Sequence, residues 1–330
     1  MSEYKGIKGF QVQTRTEDPS EGIAGDFYYN SSTGQFKTVN TGVGAWGSGG
    51  NLDTPASNTA GAGTQTAAIN FGGRNPPNTA LTRSANYDGT SWTTTPSLGT
   101  GRYSMFGFGA STAAISAGGF VGGGGVTSST ESYNGSSWSE ITELGTARYI
   151  GAAAGTSTNG IIFGGKTYPP AVNKDLAETW NGSAWTETTE LNTARGNLGG
   201  TGTATDALGF AGTTGQPDSA LVETWNGSAW TEVSDLNTGR GTGGASGSSS
   251  SSALYSGGDH PSSPYNTAIT ESWDGTSWTE VADLATARSA IREAAGTAAA
   301  GLAVGGLPGA SNATEEFTVP DFEIKTVTTS

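Results

Sequence analysis

Short apolar runs closed by glycine alternate along most of the chain with a polar phrase built around two aromatic residues. Runs such as IIFGG, from Ile161, and AAINFGG, from Ala67, are too short for helices and are typical of buried β-strands. The aromatic phrase reads TESYNGSSW, AETWNGSAW, VETWNGSAW, TESWDGTSW and, more loosely, SANYDGTSW. Its central Asn-Gly or Asp-Gly predicts a hairpin with a tight two-residue turn and positive φ angles. No segment has sustained apolar positions at helical spacing, so the pattern predicts an all-β protein.

The aromatic phrase recurs at an almost constant interval. The second aromatic residue of each phrase is Trp92, Trp138, Trp185, Trp230 or Trp278, at spacings of 46, 47, 45 and 48 residues. Aligned on a leucine, the chain has six repeats, which begin at Leu52, Leu98, Leu144, Leu191, Leu236 and Leu284. The sixth repeat has Phe317 and Phe322 in the aromatic positions, and we expect these residues to close the array beside the Leu52 repeat. Four short strands in each repeat predict a six-bladed β-propeller, or a seven-bladed one if an N-terminal hairpin adds a blade.

Two charged positions recur within the repeats. The arginines are Arg102, Arg148, Arg195, Arg240 and Arg288, and the glutamates are Glu131, Glu178, Glu223, Glu271 and Glu315. The first repeat lacks both, with Ala56 and Ala85 in their places. Because the two residues are lost together, we expect each arginine to pair with a glutamate at a partly buried blade edge. We call these ten residues the Arg/Glu lattice and interpret it, together with the repeated tryptophans, as structural. The alternative is a ring of sugar-binding sites in a lectin.

The repeat resembles that of the kelch family, which has a strand ending in Gly-Gly, a Tyr, a Trp a few residues later and an Arg that opens the next repeat. In the third repeat these positions are Gly164, Gly165, Trp180, Trp185 and Arg195, with Trp in the Tyr position. The resemblance covers residues 52–330 and implies a propeller. It does not imply one function, because kelch-like propellers include enzymes, binding proteins and scaffolds.

Composition excludes several classes of function. The net charge of −14 argues against nucleic acid as a partner, since binding it requires clustered Lys and Arg. No apolar run is long enough to predict a membrane span. The chain has no Cys and a single His, His260, so thiol catalysis, a thiolate or multi-histidine metal site and a Ser-His-Asp triad lack their residues. We therefore predict a protein that is not an enzyme and holds no metal or cofactor.

The loops that follow the Gly pairs differ in length and content. They are 74–81, 120–128, 166–176, 213–221, 259–269 and 307–313. Strand alternation places all six on one side of the propeller, which we call the loop face. Variable loops on a constant scaffold are a common location for recognition. The candidate ligand-binding residues of the loop face are Arg74, Asn75, Tyr168, Lys174, Asp259, His260 and Tyr265.

Residues 1–51 do not fit the repeat and predict an N-terminal adapter with a β-hairpin, followed by the propeller over 52–330. The phrase GDFYYNSSTG, from Gly25, resembles a motif that recurs in tail-fibre and other structural proteins of bacteriophages. Together with the opening KGIKGFQVQTRTEDPSEG and the kelch-like array, it resembles virion structural proteins of marine and cyanobacterial phages. The resemblance implies a virion location, docking to other virion proteins through 1–51, and a loop face available to a neighbouring protein or a host-surface glycan or protein.

Overall fold

The computed structural model describes residues 12–20, 25–215, 218–260, 265–291, 295–320 and 322–327, and these residues form strands and loops without any helix. The opening residues 1–11, which carry part of the phage resemblance, lie outside the described residues. The chain divides into two compact units, Ala45–Thr318 and a terminal unit made of Met1–Gly44 with Val319–Ser330. The prediction of an all-β protein is confirmed.

In the larger unit, the described residues build six four-stranded antiparallel sheets, consistent with a β-propeller. The strands of the first sheet, from first to fourth, are Ala60–Thr64, Ala67–Phe71, Ser84–Tyr87 and Trp92–Thr95. Those of the second sheet are Phe106–Ala110, Ala113–Ala117, Thr130–Tyr133 and Trp138–Ile141. Those of the third sheet are Ala152–Thr156, Asn159–Phe163, Ala177–Trp180 and Trp185–Thr188. The strands of the fourth sheet are Gly199–Thr203, Asp206–Phe210, Val222–Trp225 and Trp230–Glu232. Those of the fifth sheet are Gly244–Ser249, Ser252–Ser256, Thr270–Trp273 and Trp278–Glu280. Those of the sixth sheet are Ala295–Gly296, Ala300–Val304, Thr314–Thr318 and Ala45–Ser48.

The Gly pairs follow the second strands, where the backbone has positive φ angles that favour glycine; the fourth repeat has Ala211 at the first of the two positions. Gly164 and Gly165 have φ angles of 64° and 97°. A Cβ atom on Gly165 would lie 2.8 Å from the carbonyl oxygen of Tyr149. The Gly165 amide donates a hydrogen bond to the carbonyl of Arg195 at 2.7 Å, which connects the end of this strand to the start of the next repeat. A Cβ atom on Gly164 would lie 2.9 Å from the carbonyl oxygen of Arg195, so glycine at that position allows the two adjacent repeats to approach.

The hairpins of the aromatic phrase differ in detail from the prediction. Four residues separate the paired aromatics Tyr133 and Trp138, and only Gly135 of the predicted Asn-Gly turn has a positive φ. The expectation of positive φ at both residues was wrong for Asn and Asp. The Oδ1 atom of Asn134 instead accepts hydrogen bonds from the amides of Ser136 and Ser137, both at 2.9 Å. Asn or Asp is favoured here as a side-chain cap of the turn.

The sixth sheet takes its fourth strand from the N-terminal side of the chain. Ala45–Ser48 pairs with Thr314–Thr318, and Trp46 lies opposite Phe317 with ring centroids 5.3 Å apart. The predicted boundary between residues 51 and 52 was therefore wrong, as was the placement of Phe322 in the last repeat. Pro320, which has no amide hydrogen for a strand ladder, lies between the third strand and Phe322.

The terminal unit has a sheet of its own. The strands lie in the order Gln13–Arg15, Phe27–Asn30, Gln35–Thr41 and Phe322–Thr326, with the first pair parallel and the others antiparallel. The predicted hairpin supplies the two central strands of this sheet, Phe27–Asn30 and Gln35–Thr41. Asp18 holds the hairpin by accepting hydrogen bonds from the Tyr28 hydroxyl at 2.7 Å and the Asn30 amide at 2.8 Å.

Consecutive sheets of the larger unit are joined by backbone hydrogen bonds of equivalent residues that precede the first strands and have φ angles near 55°, namely Asn58, Ser104, Ile150, Asn197, Thr242 and Ala290. Each of the amides of Ser104, Ile150, Asn197 and Thr242 donates to the carbonyl of the preceding residue in this series. The Ile291 amide donates to Thr242 at 3.2 Å, and the Asn58 amide donates to Ala290 at 2.9 Å. The first strand of the sixth sheet also contacts that of the first sheet.

Three small strand pairings lie in the first three loops of the loop face: Arg74–Asn75 with Thr79–Ala80, Phe120–Val121 with Gly125–Val126 and with Arg102–Tyr103, and Lys166–Thr167 with Val172–Asn173. The residue after each Gly pair also bridges to the residue after the lattice arginine, or its equivalent, in the same repeat. These bridges are Ser57 with Arg74, Tyr103 with Phe120, Tyr149 with Lys166, Gly196 with Thr213, Gly241 with Asp259 and Ser289 with Leu307. The loops therefore begin at equivalent positions of all six sheets.

Candidate functional site

The structure brings each lattice arginine to its glutamate. The Arg148 guanidinium donates from Nη2 to Oε1 of Glu178 at 2.7 Å, and both side chains are buried. Its Nη1 donates to the carbonyls of Gly164 and Leu176, each at 2.8 Å. The other pairs are Arg102–Glu131 at 2.7 Å, Arg195–Glu223 at 2.9 Å, Arg288–Glu315 at 2.8 Å, and Arg240–Glu271.

Each pair also joins two sheets. The backbone carbonyl of Arg148 accepts from Gly119, which follows the second strand of the second sheet, while its side chain binds the third sheet. The second oxygen of Glu178 accepts from the Gly145 amide, in the segment between the two sheets, at 2.7 Å. Burial lowers the pKa of Arg148, and the Glu178 carboxylate opposes that shift. With both charged groups buried against protein partners, these contacts favour a structural role over a sugar-binding one.

The first repeat replaces the pair by a different contact. Ala56 and Ala85 are buried where the other repeats have Arg and Glu. Arg83, half-buried and just before the third strand, donates from Nη1 to Oδ1 of Asn70 at 2.6 Å. Burial lowers its pKa to about 10. Sequence reasoning did not assign Arg83 to the framework, because it lies outside the repeated positions.

The repeated tryptophans pack between neighbouring sheets. Trp138 lies 4.9 Å from Phe71 of the preceding sheet, measured between ring centroids. The equivalent contacts are Trp185 with Phe108 at 6.1 Å, Trp230 with Phe163 at 4.8 Å and Trp278 with Phe210 at 5.2 Å. Trp92 donates from Nε1 to the Thr314 hydroxyl of the sixth sheet at 2.9 Å, and Trp46 donates to the Thr270 hydroxyl of the fifth at 3.2 Å. Trp46 was missed by the repeat pattern because its strand partner is distant in sequence.

On the loop face, four rings from the second and third repeats form an aromatic cluster, defined as Tyr103, Phe120, Tyr149 and Tyr168. The Phe120 ring centroid lies 5.3 Å from that of Tyr103, 5.4 Å from that of Tyr149 and 5.5 Å from that of Tyr168. The Arg74 guanidinium carbon lies 5.2 Å from the centroid of the Tyr103 ring. The structure thus connects two of the predicted candidates, Arg74 and Tyr168, through residues that sequence reasoning did not single out.

A signal for this cluster exists in the sequence. Tyrosine follows the lattice arginine only in the second and third repeats, as Tyr103 and Tyr149, where the other repeats have Ser or Gly. The cluster is also accessible, since Tyr168 is 44% exposed and Tyr103, Phe120 and Tyr149 are half-buried. Asn75, Lys166 and Lys174, also half-buried, lie in the same loops.

The remaining candidates, Asp259, His260 and Tyr265, lie in the fifth loop, close to Asp218 of the fourth. Asp259 accepts a hydrogen bond from the Thr242 hydroxyl at 2.5 Å, and the His260 amide donates to the carbonyl of Tyr265 at 2.8 Å. Burial and the nearby Asp259 carboxylate raise the pKa of Asp218 to about 6, while His260 opposes the shift. Tyr265 is 70% exposed. The seven predicted residues therefore divide between a basic, aromatic side and an acidic side.

The terminal sheet has an exposed aromatic face. Phe27 and Phe36 stack with ring centroids 5.4 Å apart and an interplanar angle of 10°, and they are 44% and 45% exposed. Tyr29 lies 5.1 Å from the Phe36 ring on the same face. Tyr28, on the opposite face, is buried. This patch lies on the segment that resembles the phage motif.

No protein-family model matches the chain, and no curated protein matches it. Across the described residues, no three His, Asp or Glu side chains are grouped so that they could hold a metal ion. The same part of the chain contains no helix long and apolar enough to cross a membrane.

Proposed function

We propose that this chain is a non-enzymatic structural protein of a phage particle, in which a closed six-bladed propeller is attached through the terminal sheet and offers its loop face for recognition. The propeller is supported by the hydrogen bonds that join consecutive sheets, including that of Asn58 to Ala290, which returns from the first sheet to the sixth. The strand Ala45–Ser48 adds further support, because it joins the N-terminal side of the propeller to its last sheet.

The stacked pair Phe27 and Phe36 is the observation that carries the attachment role. Exposed apolar patches on soluble proteins commonly mark interaction sites, and aromatic side chains are enriched at protein interfaces. The strand that carries Phe27 is fixed from its opposite face, where the Tyr28 hydroxyl donates a hydrogen bond to Asp18. A particle protein is the partner of the proposal, since the same hairpin carries the phage-like phrase from Gly25.

The attachment role is tested by incorporation into particles. In the phage that encodes the chain, we expect the double substitution Phe27→Ser/Phe36→Ser to lower the amount of the protein in purified particles at least about tenfold, measured by quantitative mass spectrometry. Loss of one interface anchor typically costs about 2 kcal/mol or more, which corresponds to more than tenfold in affinity.

The matched control is Tyr168→Ser/Val172→Ser, which removes two loop-face side chains that are 44% and 42% exposed. We expect the control protein to be incorporated normally. Absence of the wild-type protein from particles would contradict the virion proposal. Normal incorporation of the Phe27/Phe36 variant with loss of the control variant would reverse the roles of the terminal sheet and the loop face.

A further inference from the structure

Apart from the lattice arginines, most described cationic side chains of the larger unit lie in loops that border the aromatic cluster. Outside the Arg/Glu lattice, the described residues of this unit contain Arg74, Arg83, Lys166 and Lys174. Arg83 binds Asn70 within the first sheet. The other three lie in loops 74–81 and 166–176, which border the cluster. This placement is notable in a chain with a net charge of −14.

The charge of the loop face is therefore uneven. Loops 74–81, 120–128 and 166–176 carry three cations and a single carboxylate, Asp175. Loops 213–221 and 259–269 carry the carboxylates of Asp218 and Asp259 with His260. At physiological ionic strength, charges beyond about 8 Å are largely screened, so the charges that matter most for a ligand at the aromatic cluster are those of the loops that border it, three cations and Asp175.

Exposed apolar side chains follow the same distribution. Among the described residues of the larger unit, the large hydrophobic side chains that are exposed are Tyr168, Val172 and Tyr265. Two of them lie in the loop that contains Lys166 and Lys174. The side of the loop face that has the cations thus also has two of these three exposed hydrophobic side chains.

From this juxtaposition we infer that the aromatic cluster with Arg74, Lys166 and Lys174 binds an anionic saccharide, that is, a sugar polymer bearing carboxylate or sulfate groups. The inference rests on the proposed role of the loop face in recognition. The C–H face of a sugar ring packs on tyrosine and phenylalanine rings, whose apolar body is combined in tyrosine with a polar hydroxyl. Carboxylate or sulfate groups form charge-assisted hydrogen bonds with Arg and Lys. Asn75, in the same loops, carries an amide suited to sugar hydroxyls.

Single-stranded nucleic acid also combines aromatic stacking with cations, but this cluster suits it less well. The Phe120 ring contacts three tyrosines in tilted or edge-on arrangements, and Arg74 lies over the Tyr103 ring. The rings therefore do not form a row of parallel faces on which successive bases could stack, whereas the one exposed ring, that of Tyr168, is enough to pack against a single sugar.

The test is binding of the purified full chain to four polymers by isothermal titration calorimetry: polygalacturonate, dextran sulfate, unmodified dextran and a 20-nucleotide oligothymidylate. We expect binding to polygalacturonate or dextran sulfate that weakens as salt is raised, and no comparable binding to dextran or the oligonucleotide. The two anionic polymers distinguish a carboxylate ligand from a sulfate ligand.

Two exposed tyrosines of the same face form the matched pair of variants. Tyr168→Ala should weaken binding about tenfold, the effect of losing one aromatic contact of roughly 1.4 kcal/mol. Tyr265→Ala, in the acidic loop, should leave binding unchanged. Lys174→Gln should also weaken binding and reduce its salt dependence, whereas Lys37→Gln in the terminal sheet should not.

Failure of both anionic polymers to bind would overturn the inference, as would equal binding to dextran, preference for the oligonucleotide, or equal losses in Tyr168→Ala and Tyr265→Ala. Because these experiments use the isolated protein, their failure is distinct from failure of the virion proposal, which is measured by incorporation into particles.

Discussion

Arg148 and Arg74 lie in the same larger unit and have opposite environments. The Arg148 guanidinium is buried, paired with Glu178 and bonded to two backbone carbonyls. Arg74 is half-buried, lies over Tyr103 and donates to Asn78 at 2.9 Å. The buried arginine recurs in five repeats, whereas the one on the loop face occurs once. The repeated arginine therefore belongs to the framework, whereas the unrepeated Arg74 lies on the loop face that we propose for recognition.

Removal of Arg148 should have the largest effect on stability. The substitution Arg148→Ala leaves the Glu178 carboxylate buried without its cation, which costs about 3–5 kcal/mol in the free energy of unfolding. Urea denaturation should show a much lower midpoint. Polysaccharide binding by the protein that remains folded should be unchanged.

The first repeat supplies the control for this experiment. It folds with Ala56 and Ala85 in place of the pair, so the double substitution Arg148→Ala/Glu178→Ala should recover part of the loss because no charge remains unpaired. An unchanged midpoint in the single variant, or a further loss in the double variant, would contradict the structural interpretation of the lattice.

Substitution of Trp46 should have the next largest effect. Trp46→Ala removes the ring that packs on Phe317 and the hydrogen bond to Thr270. Because Trp46 is half-buried, we expect a loss of about 2 kcal/mol in the free energy of unfolding, below the range for a fully buried tryptophan. The matched control is Phe36→Ala in the terminal sheet, which should leave the unfolding of the larger unit unchanged. Equal stability of Trp46→Ala and the wild type would contradict the contribution assigned to the Trp46 side chain.

The repeat pattern predicted the strands, the Gly pairs and the lattice partners because each depends on residues close together in one repeat. Trp46 could not be assigned in this way, since its strand pairs with Thr314–Thr318 at the other end of the larger unit. The aromatic cluster also depends on contacts between repeats, as between Phe120 and Tyr168. The variability of the loops was enough to select Arg74 and Tyr168 as candidates from the sequence. Their connection through Tyr103 and Phe120 could be seen only in the tertiary structure.

The acidic side of the loop face should show a smaller, pH-dependent effect. The folded-state pKa of Asp218 is about 6, above its ordinary value of 3.8, so its ionisation opposes folding at neutral pH. This penalty is complete above the folded pKa and disappears as the pH falls toward 3.8. Asp218→Asn should therefore stabilise the protein at pH 7.5 by about 1 kcal/mol, a value reduced for solvent screening at this partly exposed site, and have little effect near pH 4.

The control for Asp218 is Asp274→Asn. Hydrogen bonds from the Thr276 side chain and the amides of Ser277 and Thr276 lower the pKa of Asp274 to about 2, so its ionised form is favoured in the folded state at neutral pH. This substitution should give no stabilisation at pH 7.5. Thermal unfolding at the two pH values checks both variants, and a pH-independent effect of Asp218→Asn would contradict the assignment.

Cryo-electron microscopy of the native particle tests the central claim most directly. We expect density for six four-stranded sheets around one axis, with Phe27 and Phe36 covered by a neighbouring particle protein and the aromatic cluster around Phe120 open to solvent. Density with the aromatic cluster covered by the particle and the Phe27–Phe36 patch exposed would contradict the account, as would absence of the protein from the particle.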